Sequence, residues 1–129
     1  FIVCKFSRGT YYKELPDMAK LYSLVTGYDM TPEELKKSGE RINVVARLIN
    51  IREGLGRKDD TLPWKVMNMP IPDEGPVKGA FVSQEELDLL LDDYYDSRGY
   101  TLEGVPTTEK LKELGMDDLL SIVEEKQEA

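Results

Sequence analysis

Two places in this sequence hold side chains that could do chemistry. The first is Cys4, the single cysteine in a chain with no histidine, and therefore its only soft metal ligand. An iron–sulfur cluster takes about four thiolates, so Cys4 could supply one ligand of a cluster completed by residues from elsewhere. On composition alone it reads as a small buried hydrophobe beside Phe1, Ile2, Val3 and Phe6. The second place is the run from Asn50 to Pro63, which crowds Arg52, Glu53, Arg57, Lys58, Asp59 and Asp60 around Gly54 and Gly56. A guanidinium and a carboxylate form bidentate pairs. The simplest expectation is structural: Arg52 or Arg57 pairs with Asp59 or Asp60, tying a loop to a helix end, and Glu53 holds a lysine. A catalytic carboxylate pair would need burial to raise a pKa, and nothing in the local sequence provides it.

What is missing narrows the chemistry further. Without histidine there is no Ser-His-Asp or Cys-His catalysis and no zinc site of the usual composition. One cysteine cannot close an internal disulfide, which fits a reducing cytoplasm. The net charge of −8 argues against nucleic acid, whose phosphates need a basic surface, and gives no support for an anionic membrane. No apolar run approaches the roughly 20 residues that span a bilayer. The remaining acidic pairs, Asp92-Asp93, Asp117-Asp118 and Glu124-Glu125, read as solvated. Tyr11, Tyr12, Tyr94, Tyr95 and Tyr100 read as edges of a core. The chain starts Phe1-Ile2-Val3-Cys4, with neither Met nor a charged leader, so the start reads as a cut within a longer protein and not as a signal peptide.

These residues must be positioned by helices. At 129 residues, 40% hydrophobic and 33% charged, the chain is long enough for one folded helical domain over residues 1–129. Pro16–Thr26 predicts a helix, with Gly27 as its C′ residue and Met18, Leu21, Tyr22 and Val25 on its inner face. Thr31-Pro-Glu-Glu34 is a capping box. It opens a helix to about Glu53, with Leu35, Ile42, Val45, Ala46 and Ile49 as its apolar stripe and Gly54 as a left-handed stop. Gly39 inside that helix fits a close helix crossing or a break near Ser38. From Gly54 to Val82 the prolines rule out a continuous helix or central strand. Trp64, Val66, Met67, Met69 and Ile71 predict that this segment lies on the protein, or covers another domain. Ser83-Gln-Glu-Glu86 caps a helix to Arg98 that buries Leu87, Leu90, Leu91, Tyr94 and Tyr95. Shorter helices follow at Thr107–Leu114 and at Asp117–Glu125, the latter capped by Asp117 and anchored by Leu120 and Val123. The fold class is all-α, irregular, with a long Pro/Gly-rich centre.

Taken together, Cys4 and the Asn50–Pro63 run resemble the C-terminal domain of the tungsten-containing aldehyde ferredoxin oxidoreductases. In that family an Asp-x-x-Gly-Leu-Cys motif supplies the fourth cluster ligand. Aligned on Cys4, it places Val3 at the Leu position and Ile2 at the Gly position, with its Asp ahead of Phe1. Lys5-Phe6-Ser7-Arg8-Gly9 is most similar to the formaldehyde-oxidising branch. The family's Asn-x-Arg-Glu-Gly, Arg-x-Asp-Asp and Leu-Pro elements match Asn50, Arg52, Glu53, Gly54, Arg57, Asp59, Asp60, Leu62 and Pro63. Gly75-Pro76, Asp92-Asp93-Tyr94-Tyr95 and Gly104-Val105-Pro106-Thr107 are also similar. The resemblance implies an enzyme that converts an aldehyde and water to a carboxylic acid, with tungstopterin and a [4Fe–4S] cluster as cofactors and ferredoxin as electron acceptor. It implies that Cys4 is a cluster ligand, that Val3 and Cys4 line the pterin, and that upstream domains of the same polypeptide complete the site. The isolated chain is then expected to hold neither cofactor and to be inactive. The rival expectation is a non-enzymatic helical interaction or regulatory domain with an inert Cys4.

Overall fold

Local signals in the sequence set most of the helix ends. The computed structural model describes Cys4, Phe6, Gly9 and residues 12–72 and 74–127. Its helices are α1 (Leu15–Thr26), α2 (Pro32–Arg52), α3 (Trp64–Asn68), α4 (Gln84–Arg98), α5 (Thr108–Leu114) and α6 (Leu120–Gln127). No strand forms among the described residues, and an isolated antiparallel bridge joins Tyr100 to Pro106. The all-α expectation holds.

Both capping boxes form. The Glu34 carboxylate accepts from the Thr31 N–H at 2.9 Å while the Glu34 N–H donates to the Thr31 hydroxyl at 3.1 Å. Ser83 and Glu86 repeat the exchange at 2.8 and 3.2 Å. Each satisfies two donors that a helix start leaves orphaned, for about 1 kcal/mol per cap. At the end of α2, the Gly54 N–H reaches the Ile51 carbonyl at 3.0 Å and the Leu55 N–H reaches that of Asn50 at 2.9 Å. This is a Schellman closure, and it requires the left-handed φ of 88° at Gly54. Asp117 does not cap as expected. It begins a 3-10 turn, Asp117–Leu119, that leads directly into α6.

The chain divides into two compact units, residues 1–45 and 46–129, and α2 runs through the division. In the first unit, Ala19 of α1 is buried while Val25 is exposed, so the inner face lies one turn nearer the start of the helix than its apolar spacing predicts. The Ser23 hydroxyl accepts from the Met30 N–H at 2.9 Å and pins the turn between α1 and α2. Gly39 is helical, and a Cβ there would meet nothing within 4 Å, so neither a break nor a close crossing explains it.

The stripe expected to be buried on α2 faces outward. Ile42 is 70% and Ile49 47% exposed, and Val45 and Ala46 are exposed too. The buried positions are Val44 at 0%, Leu48 at 3% and Ile51. At about 100° per residue these two sets lie on nearly opposite faces. The helix is apolar on both, so periodicity alone does not say which turns inward. In the second unit, Leu111, Leu114, Met116 and Val123 form a buried cluster from α5, α6 and the turn between them. Thr107 caps α5 by accepting from the Lys110 N–H at 3.1 Å.

The segment after α2 is ordered but does not bury its apolar residues. It contains a 3-10 turn, Arg57–Asp59, and the five-residue α3, which the prolines had obscured. Trp64 is 69% exposed, and Val66, Met69 and Ile71 also face outward.

Candidate functional site

Apart from an exposed Arg52–Glu53 pair, the charged run does not pair within itself, but reaches across the second unit. Arg47, on the buried face of α2 between Val44 and Ile51, holds Asp60 bidentately, with Nη1 to Oδ1 at 2.9 Å and Nη2 to Oδ2 at 2.7 Å. Its Nε donates to the Gly104 carbonyl at 2.7 Å. The Tyr95 hydroxyl of α4 donates to the same Asp60 carboxylate. Arg57 donates through Nη1 to Asp92 Oδ1 at 2.6 Å and to the Leu102 carbonyl at 2.9 Å, and through Nη2 to the Asp88 carbonyl at 3.3 Å. The two guanidinium carbons lie 5.7 and 5.5 Å from the Tyr95 ring centroid, within cation–π range. One clamp thus ties α2, the Arg57–Asp60 turn, α4 and the Leu102–Gly104 loop together.

Gly104 completes the clamp by having no side chain. Its φ is +73°, and a Cβ would strike Arg47 Nη2 and come within 2.8 Å of the Tyr95 ring. This fixes Gly at the position.

The charges are set against one another. Burial pushes the Asp60 carboxyl up, but the hydrogen bonds from Arg47 and Tyr95 outweigh it and hold Asp60 below the usual range. Burial and the bond to Asp60 push Tyr95 up to about 12. Burial works against the Arg47 charge, and Asp60 more than compensates, leaving Arg47 raised. At neutral pH the clamp is therefore a fixed Arg⁺–Asp⁻–Tyr set with no group poised to exchange a proton. It is architecture.

This corrects the expected pairings. Neither Arg52 nor Arg57 pairs with Asp59 or Asp60. Arg52 pairs with its exposed neighbour Glu53 at 3.2 Å, and Asp59 accepts from the Gly56 N–H at 2.9 Å. Asp92 is not a merely solvated charge, since it binds Arg57. Helix α4 is accordingly turned by roughly 60° from its expected inner face. Asp88, Asp92 and Tyr95 point toward the clamp, while Leu90 and Tyr94 are exposed. Arg47 was missed altogether. An arginine flanked by Val44, Leu48 and Ile51 at helical spacing is the signal that would have found it, once that face was taken as the inner one.

Cys4 is exposed, not the buried hydrophobe its composition suggested. Val3 lies outside the described residues. Among the described residues no three potential metal ligands gather.

Comparison with known proteins joins these observations. Residues 1–116 match the family described as aldehyde ferredoxin oxidoreductase, domains 2 and 3. The tungsten-containing aldehyde ferredoxin oxidoreductase of Pyrococcus furiosus is 43% identical over 101 residues, covering 78% of this chain and 16% of its own length. A second protein of that organism, named aliphatic sulfonate oxidoreductase, WOR-like subunit, is 30% identical over 123 residues, 91% of this chain and 19% of its own. Among solved structures, the active-site complex BamBC of benzoyl coenzyme A reductase with 1,5-dienoyl-CoA superposes with a TM-score of 0.63 at 30% identity, covering 87% of this chain and 15% of that one. The chain belongs to the aldehyde ferredoxin oxidoreductase family, a family of oxidoreductases. It spans less than a fifth of the length of the curated relatives it matches. Membership in an enzyme family replaces the rival reading of a non-enzymatic helical module.

Proposed function

We propose that this chain serves a tungsten-dependent aldehyde:ferredoxin oxidoreductase as the C-terminal domain that carries one cluster ligand and one wall of the cofactor cleft. The reaction converts an aldehyde and water to a carboxylic acid, releasing two protons and two electrons that pass to ferredoxin. The observation that carries the proposal is the exposed thiol of Cys4 in a chain of this family. One exposed thiol, with no group of three potential metal ligands among the described residues, supports a residue that would complete a centre shared with other parts of a longer polypeptide. When bound, the tungstopterin and the [4Fe–4S] cluster supply the two-electron chemistry and the one-electron relay. Cys4 would hold the cluster through its sulfur, and Val3 and Cys4 are the residues that would line the pterin. The Arg47–Asp60–Tyr95 clamp keeps the scaffold rigid. The cellular setting is the cytoplasm, where a lone thiol stays reduced. Among the described residues no helix is long and apolar enough to cross a membrane.

The substrate class is an aldehyde. The test is made in the family-length enzyme, with Cys4→Ala and Cys4→Ser beside the wild type. EPR of reduced protein, tungsten content and ferredoxin reduction are followed together. The four-iron signal should give way to a three-iron form or vanish in Cys4→Ala. Ferredoxin reduction should fall while tungsten content stays close to normal. An unaltered four-iron signal would return Cys4 to a non-ligand role. Turnover of sulfonates without turnover of any aldehyde would overturn the substrate class.

A further inference from the structure

Helix α2 is weak at one place. Gly39 lies in its interior, where glycine disfavours the helix about fivefold against alanine. Its surroundings do not ask for a glycine: its φ is not left-handed, and a Cβ would meet nothing within 4 Å. Beside it, the Ser38 hydroxyl donates to the Glu34 carbonyl at 2.9 Å, and the Asn43 side-chain amide donates to the Gly39 carbonyl at 3.1 Å. Bonds of this kind compete with the helical ladder.

The two units are also held by different means. Among the described residues of the first, Tyr12, Ala19 and Val44 are buried, while Leu24, Val25, Tyr28 and Ile42 are exposed. The bonds that fix its helix ends join near neighbours: the Glu14 N–H with Asp17, the Met30 N–H with Ser23, and the Thr31 N–H with Glu34. The second unit buries Leu48, Ile51, Tyr95, Leu111, Leu114 and Val123. Within it Arg47 and Arg57 reach carbonyls 57 and 45 residues away. Bonds of that reach make elements open together, and bonds within one turn do not.

We infer that α1 and the part of α2 before Val44 form a conformational unit that opens as a minor species at equilibrium while the clamp stays closed, with Ser38–Gly39 the place where α2 gives way. Val44, Leu48 and Ile51 share one buried face of α2 and stop the opening from running further along the helix. Cys4 belongs to the unit that opens, so that unit can rearrange about its thiol without loss of the scaffold. The inference does not depend on Cys4 being a cluster ligand.

Native-state hydrogen exchange on the 129-residue chain, followed by mass spectrometry in traces of urea, tests this. Amides of residues 18–43 should exchange many-fold faster than those of α4 and α5, through an opening that urea barely affects. Gly39→Ala should slow exchange over residues 18–43 about fivefold, the worth of one interior glycine, and leave α4 unchanged. Ala19→Gly should do the opposite, speeding the first set several-fold and again leaving α4 alone. Equal protection of the two units in the wild type would overturn the inference. So would a variant that shifts both sets by the same factor, which would make the chain one cooperative unit, or a Gly39→Ala protein whose exchange matches the wild type throughout.

Discussion

Asp60 receives three donors at once, two from Arg47 and one from Tyr95, and these bonds favour its charged form. In Asp60→Asn the amide keeps the shape but turns donors toward the Arg47 guanidinium, which is only 12% exposed. The expected cost is about 2–3 kcal/mol, reduced from a fully buried pair because Asp60 is partly wet. Asp59→Asn loses charge only on one exposed turn bond and should cost less than about 1 kcal/mol. Urea denaturation of both variants checks the ranking, and equal costs would contradict the clamp. The pH dependence has a definite sign at each end. The folded-state pKa of Asp60 is depressed, so its contribution is present above the ordinary carboxylate pKa of about 3.9 and fades as pH falls through the folded value. Tyr95 is raised from 10.0 to about 12. Its contribution is therefore complete below pH 10 and is lost as pH climbs toward 12, on the order of 2 kcal/mol. Tyr95→Phe should be less stable than wild type at pH 8, and the gap should narrow by pH 11. A gap that stays constant would remove the Tyr95–Asp60 bond from the account.

At the scale of elements, α2 offers the sharpest contrast because its two faces look alike in sequence. Leu48→Ala should cost about 3 kcal/mol, through lost burial and a residual cavity. Its neighbour Ile49→Ala should change stability by less than about 0.5–1 kcal/mol, although both remove a large apolar side chain. Thermal melts of the two in the 129-residue chain decide the matter, and a large loss at Ile49 would mean that the inner face is the one its spacing first predicts. Most helices and their ends were legible because they depend on neighbours in sequence, the short α3 and the start of α6 excepted. Thr31 meets Glu34, Ser83 meets Glu86, and Gly54, Gly99 and Gly115 stop their helices with positive φ. The faces were not legible, because they are chosen by partners far along the chain. Arg47 finds a carboxylate 13 residues away and a carbonyl 57 away. Arg57 finds Asp92 at a separation of 35 and thereby turns α4. Local apolar spacing carries no information about such long-range ion pairs. The same reasoning explains why Asp92 read as solvated and why Leu90 and Tyr94 read as buried.

For the molecule as a whole, the family was legible by a different route from the fold. Physical reasoning could say only that Cys4 is one soft ligand in a chain without histidine. The family was carried by motif spacing at Cys4 and Asn50–Pro63, and the match over residues 1–116 agrees with it. The charged motif, however, serves the scaffold through Arg47–Asp60 and Arg57–Asp92, so what identifies the family most clearly is a set of structural ties. This division yields a prediction for the 129-residue chain by itself. The capped helices, the clamp and the buried cluster of Leu111, Leu114, Met116 and Val123 all lie within it, so it should fold and show cooperative loss of helical circular dichroism. It should still bind no stoichiometric cluster, because a four-iron centre needs about four thiolates and Cys4 is one. Anaerobic incubation with iron, sulfide and thiol, followed by gel filtration and metal assay, should leave well under one iron per chain. Four irons and four sulfides retained on a monomer would show that ligands other than cysteine complete the centre, and would overturn the assignment of Cys4 as one contribution among four.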